Sequence, residues 1–243
     1  MLLLTAAGAG LAGDLDSLGD LRAERRAVVR AAAMAKSDGG APFGLLVIPV
    51  DFADARFDAP PALARPLASR EPGTLTHYFD VASRGRTRLE PVVSPPVALA
   101  GTRDEYSDIG WQGSTRTRRL AREALAGARA AGVVFADADR DGDGEVDGVL
   151  ILHAAPGLEI DPDGWIVLLQ FFLAEPVVEA GTVARSYAVA SARSTLGIQA
   201  HETGHLLGLE DRYDPTLSDN PEVGPRGGLG RFSLMAAGWR GRG

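Results

Sequence analysis

The sequence predicts an α+β fold in which a twisted, mixed β-sheet packs against helices. Short apolar runs of strand length, such as residues 43–52 and 149–153, alternate along the chain with helical stretches. The stretch from Arg116 to Gly132 is amphipathic. Its apolar stripe is formed by Leu120, Ala124, Leu125 and Ala128. The length of 243 residues suits one domain of good size, with or without a short extension.

Composition and charge exclude several classes of partner and site. The formal net charge is −7, so bulk electrostatics give no support to a nucleic-acid partner. The chain has no cysteine, which excludes disulfides, thiolate zinc sites and a thiol nucleophile. No apolar run reaches the length of a membrane span. The sequence leaves the oligomeric state open.

The N-terminal segment, residues 1–40, is predicted to be a helical extension that precedes the main domain at residues 41–243. Its first residues are small and apolar, which fits either a secretory signal or the tail of an earlier segment. Because no Lys or Arg precedes the apolar stretch, neither interpretation is favoured. Leu21 to Lys36 is predicted to form a helix that residues 37–40 end. The extension is interpreted as a remnant of a signal or a propeptide.

The first strand of the main domain is predicted at Phe43 to Phe52. Pro49 has no N–H to donate, so we expect a sheet edge or a bulge at this point. A short helix is expected from Thr74 to Ser83, and a second strand from Arg86 to Val93. Residues 94–112, which are punctuated by proline and glycine, are predicted to be a loop.

The acidic stretch from Asp137 to Gly148 has the spacing of a calcium-binding loop. Alternating carboxylates around a glycine turn can surround Ca²⁺ with oxygen ligands, and their mutual repulsion favours a cation. The candidate ligands are Asp139, Asp141, Asp143 and Asp147. The twelfth position of this loop is Leu150, so the bidentate Glu of a full EF-hand is missing. We predict a structural calcium loop of modest affinity, and the alternative is a plain acidic turn before a strand.

Three further strands are predicted in the second half of the chain, where the runs are strongly apolar or rich in β-branched residues. They are residues 149–153, at least one strand within Trp165 to Leu173, and one within Gly181 to Ala190. His77 is expected to be a packing residue of its helix rather than a ligand. His153 is expected to be a satisfied histidine at the end of its strand, and the alternative is that it lines the cleft.

The most informative stretch reads H-E-x-x-H-x-x-G-x-x-D. On a helix, His201 and His205 are four residues apart, so their imidazoles share one face and can reach one Zn²⁺. Glu202 can face a water at the metal and act as general base. Gly208 is expected to end the helix, because glycine accepts the left-handed conformation there. Asp211 can then supply the third ligand and leave one position open, as in catalytic zinc sites.

A lone H-E-x-x-H also occurs by chance in unrelated helices. The downstream Gly208 and Asp211 favour the zinc interpretation. So does Met235, which is thirty positions beyond His205, because metzincin peptidases place a methionine turn beneath the zinc histidines. Ser194 or Thr195 is expected to cap the zinc-site helix.

The stretch from Gly197 to Asp214, followed by the stretch from Phe232 to Trp239, resembles the immune inhibitor A-like family of secreted bacterial zinc metallopeptidases. The resemblance implies a metzincin-like fold whose third zinc ligand is Asp211, where the general metzincin pattern has His. The family usually has Pro where this chain has Glu210. Family members usually continue past the methionine turn, so a domain that stops at Gly243 is expected to be truncated at its C-terminus.

The same resemblance implies export from the cell and protein or peptide substrates. In metzincins an edge strand above the zinc pairs with extended substrate, and the region from Trp165 to Ala190 is expected to contain that edge. The family also has a similar acidic loop before a strand, at the place of residues 137–148.

The function predicted from these features is that of a secreted zinc endopeptidase. Zinc would lower the pKa of its water to about 7, and Glu202 would take the proton and pass it to the leaving amine. Tyr213 is a further candidate for assistance, and Met235 is expected to pack without binding the metal. The alternatives are a non-catalytic or incomplete metallopeptidase-like secreted module that binds protein, and, less favoured, a hydrolase of non-peptide amides.

Overall fold

The computed structural model describes residues 42–58, 69–107, 114–157, 169–212, 229–236 and 238. The predicted signal-like start and the N-terminal helix lie outside the described residues, and so do Tyr213 and the loop that follows it.

Six strands of the described chain form one mixed sheet. They are β1 (Phe43–Asp51), β2 (Leu89–Val93), β3 (Val97–Ala98), β4 (Gly148–His153), β5 (Leu169–Glu179) and β6 (Thr182–Ser191). The strand order is β2-β1-β4-β6-β5, and β3 pairs with β1 beyond the end of β2. All neighbours run parallel except β5, which is antiparallel to β6 and ends the strand order.

Four α-helices accompany the sheet in the described residues. They are α1 (Leu75–Ala82), α2 (Arg103–Tyr106), α3 (Ser114–Ala130) and α4 (Leu196–Leu206). Two short 3₁₀ helices span Phe135–Ala138 and Gly230–Phe232. The bounds of α1 match the predicted helix, because Thr74 is its N-cap and Ser83 its C-cap. The mixed sheet with packed helices is consistent with the predicted α+β class.

The prediction of a sheet edge or bulge at Pro49 is wrong. β1 lies inside the sheet, with β4 on one side and β2 and β3 on the other. The β2 pairing stops at Val47 and the β3 pairing starts at Val50, so Pro49 faces the break between two short strands. Val47 accepts a hydrogen bond from Ser94 on this side, and Pro49, two residues on, points the same way. The proline is tolerated because neither β2 nor β3 pairs with this position, so no backbone N–H is needed there.

Two other sequence boundaries need correction. Residues 94–112 were expected to be a loop, but they contain β3 and the short helix α2, in which Thr102 and Glu105 form a capping box. β5 runs on to Glu179, and its pairing with β6 shifts register between Phe172 and Val177, which is the mark of a β-bulge.

The sheet has an apolar core on each face, and alternate residues of β4 serve the two cores. Val149 and Ile151 are buried in the cluster that includes α3. Leu150 and Leu152 are buried in the cluster that includes α1 and α4. Helix α4 therefore lies on the face opposite to α3, and this packing fixes it against β4 and β6. In the described residues, no helix is long and apolar enough to cross a membrane.

Candidate metal centre

Helix α4 carries both motif histidines and ends in a turn built by glycine. Thr195, one of the two predicted caps, occupies the N-cap position. At the other end Gly208 has φ of +82°, a left-handed conformation that glycine adopts without steric penalty. Its N–H donates to His205, and the N–H of Leu209 donates to Gly204, which together form a Schellman motif. This turn reverses the chain and returns Asp211 towards the helix.

Three side-chain atoms of this segment converge on one point. The His201 Nε2 and His205 Nε2 atoms are 3.2 Å apart. The Asp211 Oδ1 atom is 3.2 Å from the first and 3.4 Å from the second. Ligands at about 2.0 Å from a tetrahedral zinc are separated by about 3.3 Å, so the triangle has the size that zinc requires. Asp211, rather than the neighbouring Glu210, is the carboxylate in this group.

The outer nitrogen of each ring faces a backbone carbonyl. His201 Nδ1 lies 2.9 Å from the Leu234 oxygen, and His205 Nδ1 lies 2.8 Å from the Leu209 oxygen. A carbonyl can only accept, so these contacts assign the proton of each neutral ring to Nδ1. Both Nε2 atoms then direct a lone pair at each other and at the Asp211 carboxylate. Three electron-rich atoms at this separation repel one another unless a cation or an added proton lies between them.

The backbone after residue 229 contacts one converging side chain and the residue that follows another. Leu234 accepts the hydrogen bond from His201, as described above. The next carbonyl, that of Met235, accepts from the N–H of Arg212, directly after Asp211, at 2.6 Å. Such outer contacts fix the orientation of metal ligands and raise their basicity. Sequence reasoning found Met235 but not these two carbonyls, because side-chain motifs carry no signal for a backbone acceptor.

Glu202 is buried beside the histidines. It is 3 % exposed, and its Oε1 lies 4.0 Å from His201 Nε2. Burial alone would lower the pKa of His201, but the Asp211 hydrogen bond, the Leu234 carbonyl and the Glu202 charge outweigh it and raise the pKa. The centre is therefore electronegative and favours a bound cation.

The acidic loop brings together three of its four predicted ligands. Asp139, Asp141 and Asp147 each place a carboxylate oxygen within 4.8 Å of the others. Asp143 is outside that group, and its Oδ1 accepts the N–H of Glu145 at 2.8 Å. Asp147 is 5 % exposed and accepts the N–H of Gly44 on β1 at 2.7 Å. The loop is thus tied to the start of the sheet by one buried carboxylate.

The two other histidines stand apart from both groups of metal-ligand type in the described residues. His77 lies on α1 and is half-buried, and its backbone N–H donates to the Thr74 cap. His153 is fully buried at the end of β4, and its ring packs 6.0 Å from that of Phe52. Burial lowers the pKa of His153 to about 3, although the Ala155 backbone partly opposes the shift. His153 is buried at the end of its strand, but neither ring nitrogen makes a hydrogen bond of normal geometry in the described residues, so the prediction of a satisfied histidine is not met.

Residues 173–243 match a known family, described as immune inhibitor A peptidase M6, catalytic domain. The matched segment includes β6, α4, the three converging side chains and the methionine turn, and it covers less than half of the chain. The match and the group of His201, His205 and Asp211 both resemble what is found in metallopeptidases. The resemblance to the immune inhibitor A-like family that the motif predicted is thereby confirmed. A comparison with curated proteins gave no match.

Proposed function

We propose that this protein is a secreted zinc endopeptidase. The observation that carries the proposal is the convergence of two lone-pair nitrogens and one carboxylate oxygen at 3.2–3.4 Å. Two neutral imidazoles and one carboxylate are the donor set of a catalytic zinc site, which keeps a fourth position open. Bound zinc supplies Lewis acidity, which acidifies a water molecule and polarises a carbonyl group.

The proposed role of Glu202 is that of general base. Its carboxylate lies 4.0 Å from His201 Nε2 and is almost entirely screened from solvent, which supports a position beside the metal-bound water. It would accept the proton of the attacking water and deliver it to the departing amine nitrogen. Burial lowers the local dielectric and so strengthens the interaction of its carboxylate with that proton.

The proposed substrate is an extended peptide. β5 ends the strand order on the side of the sheet next to β6, and α4 packs against both strands. An extended chain can pair with such an edge through its own backbone groups, independently of its side chains. The pairing would be cleanest along residues 169–173, because the β-bulge and Pro176 interrupt the strand further on.

A structural calcium ion in the acidic loop is a second part of the proposal. The cluster of Asp139, Asp141 and Asp147 has only oxygen ligands, as calcium prefers. Export from the cell, a catalytic domain spanning residues 41–243 and an N-terminal extension before it complete the proposal. They rest on the family resemblance and on the sequence, because the described residues begin at 42.

The proposal is tested by metal content together with proteolysis. Protein purified without added metal should contain about one zinc per chain by mass spectrometry. Casein cleavage should stop when a zinc chelator is added and return with zinc. Glu202→Gln should keep the zinc but lose at least about 100-fold in activity. This is the lower end of the range of about 10²–10⁴-fold that general-base catalysis contributes.

Three outcomes separate this proposal from its alternatives. Zinc without cleavage of any protein substrate would favour the non-catalytic binding module. Cleavage of small amides but not of casein would favour a non-peptide hydrolase. Full activity in Glu202→Gln would remove Glu202 from the reaction.

A further inference from the structure

We propose that Gly204 is a positioning residue of the metal centre, and that its missing side chain provides the seat for Met235. This inference rests on the proposed zinc site. It adds to that site a residue that acts by having no side chain, which leaves space for Met235. Gly204 is the fourth residue of the H-E-x-x-H motif, so it lies directly before His205 on α4.

Gly204 and the side chain of Met235 are so close that a side chain at position 204 would force one of them to move. A Cβ built on Gly204 would lie 2.8 Å from the Met235 sulfur and 3.5 Å from its terminal methyl carbon. Met235 is 4 % exposed, and Gly204 is buried as well, so the sulfur has little room to retreat. Helix propensity argues against a glycine here, because glycine in a helix interior costs about 1 kcal/mol relative to alanine. Close packing by Met235 gives the physical reason for it.

The position of Met235 controls two of the three ligands through the backbone. The Leu234 carbonyl receives His201 Nδ1, and the Met235 carbonyl receives the N–H of Arg212, next to Asp211. A Cβ at position 204 would push this turn away from α4. Both carbonyls would move with the turn, so the His201 ring and the Asp211 carboxylate would leave the positions that give the 3.2 Å separation of their ligand atoms. Gly204 therefore acts on ligands that it does not touch.

The first test is Gly204→Ala. It should weaken zinc binding by about 10- to 100-fold, as loss of outer-contact geometry does at other metal sites. Zinc affinity is measured by competition with a chromophoric chelator. The visible spectrum of the cobalt-substituted protein should also change, because it reports ligand geometry. The matched control is Gly197→Ala, the same substitution about two turns earlier on α4, which should leave both measurements as in the wild type.

The second test is a rescue that distinguishes positioning from general damage to the helix. Met235→Val removes the sulfur and the terminal methyl group, and so vacates the volume that a Cβ at position 204 would occupy. The double variant Gly204→Ala with Met235→Val should bind zinc at least 5-fold more tightly than additive effects predict. Melting of the metal-free proteins, recorded in chelator, shows whether each variant folds.

The outcomes separate this inference from the proposed function. Wild-type protein that binds no zinc would overturn the proposed function itself. Wild-type protein that binds zinc, with Gly204→Ala binding it equally well and giving the same cobalt spectrum, would overturn the role of Gly204 alone. Strictly additive effects in the folded double variant would also overturn it, because they would mean that the two side chains do not compete for one space.

Discussion

The metal centre on α4 and the acidic loop before β4 each bring three acidic or imidazole side chains together, but they satisfy those side chains differently. In the metal centre, the Nδ1 atoms of His201 and His205 are hydrogen-bonded to carbonyls, and their Nε2 atoms face Asp211. In the acidic loop, the carboxylate of Asp139 accepts backbone N–H groups from Gly142 and Gly144 at 2.8 and 2.9 Å.

This difference indicates how strongly each region depends on a cation. The loop carboxylates accept hydrogen bonds from backbone N–H groups of the same short turn. These bonds already orient the carboxylates, so a cation adds to their stabilisation without being required for it. In the metal centre the three converging atoms lie 3.2–3.4 Å apart, and a proton or a metal relieves their mutual repulsion. We therefore expect metal removal to abolish function at the first region and to cause a moderate loss of stability at the second.

Removal of the Asp211 carboxylate is expected to have the largest effect on the metal centre. Asp211→Ala should weaken zinc binding by more than about 100-fold, beyond the range for outer contacts, and should abolish casein cleavage. Glu210→Ala is the matched control, because it removes the neighbouring carboxylate, which is outside the converging group. Zinc titration and cleavage assays measure both variants. Equal losses in the two variants would contradict the assignment of Asp211 as the ligand.

Within the acidic loop, the buried hydrogen bond between Asp147 and Gly44 should contribute to stability even when no cation is present. Asp147→Ala leaves the N–H of Gly44 without its charged acceptor in the interior, so unfolding free energy should fall by about 2–3 kcal/mol. Asp141→Ala, at an exposed position, should change it by less than about 0.5 kcal/mol under the same conditions. Urea unfolding in a calcium chelator measures both. A similar loss in the two variants would show that the buried contact between Asp147 and Gly44 is not what distinguishes the two positions.

Acid should lower the free energy of unfolding through a third site, His153. This loss of stability adds to any effect of pH on the metal centre. His153 has a folded pKa of about 3, below the value of about 6.5 expected for an unfolded chain. The unfolded state therefore binds the extra proton, and stability is complete above pH 6.5 and is lost as the pH falls towards 3. Between pH 7 and pH 5 the loss should be about 2 kcal/mol.

The measurement for His153 is urea unfolding of the metal-free protein at pH 7 and pH 5. His153→Gln cannot titrate in this range and should show a smaller change between the two pH values than the wild type. An unchanged pH response in His153→Gln would show that other groups cause the acid sensitivity.

The smallest expected effect is that of calcium on the acidic loop. At a free calcium concentration ten times the dissociation constant, a single site adds about 1.4 kcal/mol to the free energy of unfolding. For a loop of modest affinity this requires millimolar calcium. Thermal melting with calcium, compared with magnesium at the same concentration, measures the shift. A wild-type protein whose melting temperature is unaffected by calcium would leave the loop as a plain acidic turn.

Local patterns predicted the elements that depend on a few neighbouring residues. The helix from Thr74 to Ser83 and the inward stripe of α3 follow from periodicity and capping, which operate within one or two turns. Pro49 was misjudged because its tolerance depends on where β2 ends and β3 begins, some fifty residues away. The short β3 and α2 elements were missed because elements of two and four residues show no periodicity.

The shared helical face of His201 and His205 and the turn at Gly208 follow from the amino-acid sequence alone, because helical periodicity and the left-handed preference of glycine are local properties. What orients those side chains depends on contacts between distant segments of the folded chain. The Leu234 carbonyl is 33 residues from the ring that it holds, and Met235 rests on Gly204 only after the chain has folded back on α4. Contacts between distant segments depend on how the sheet and helices pack, and no local pattern encodes that packing.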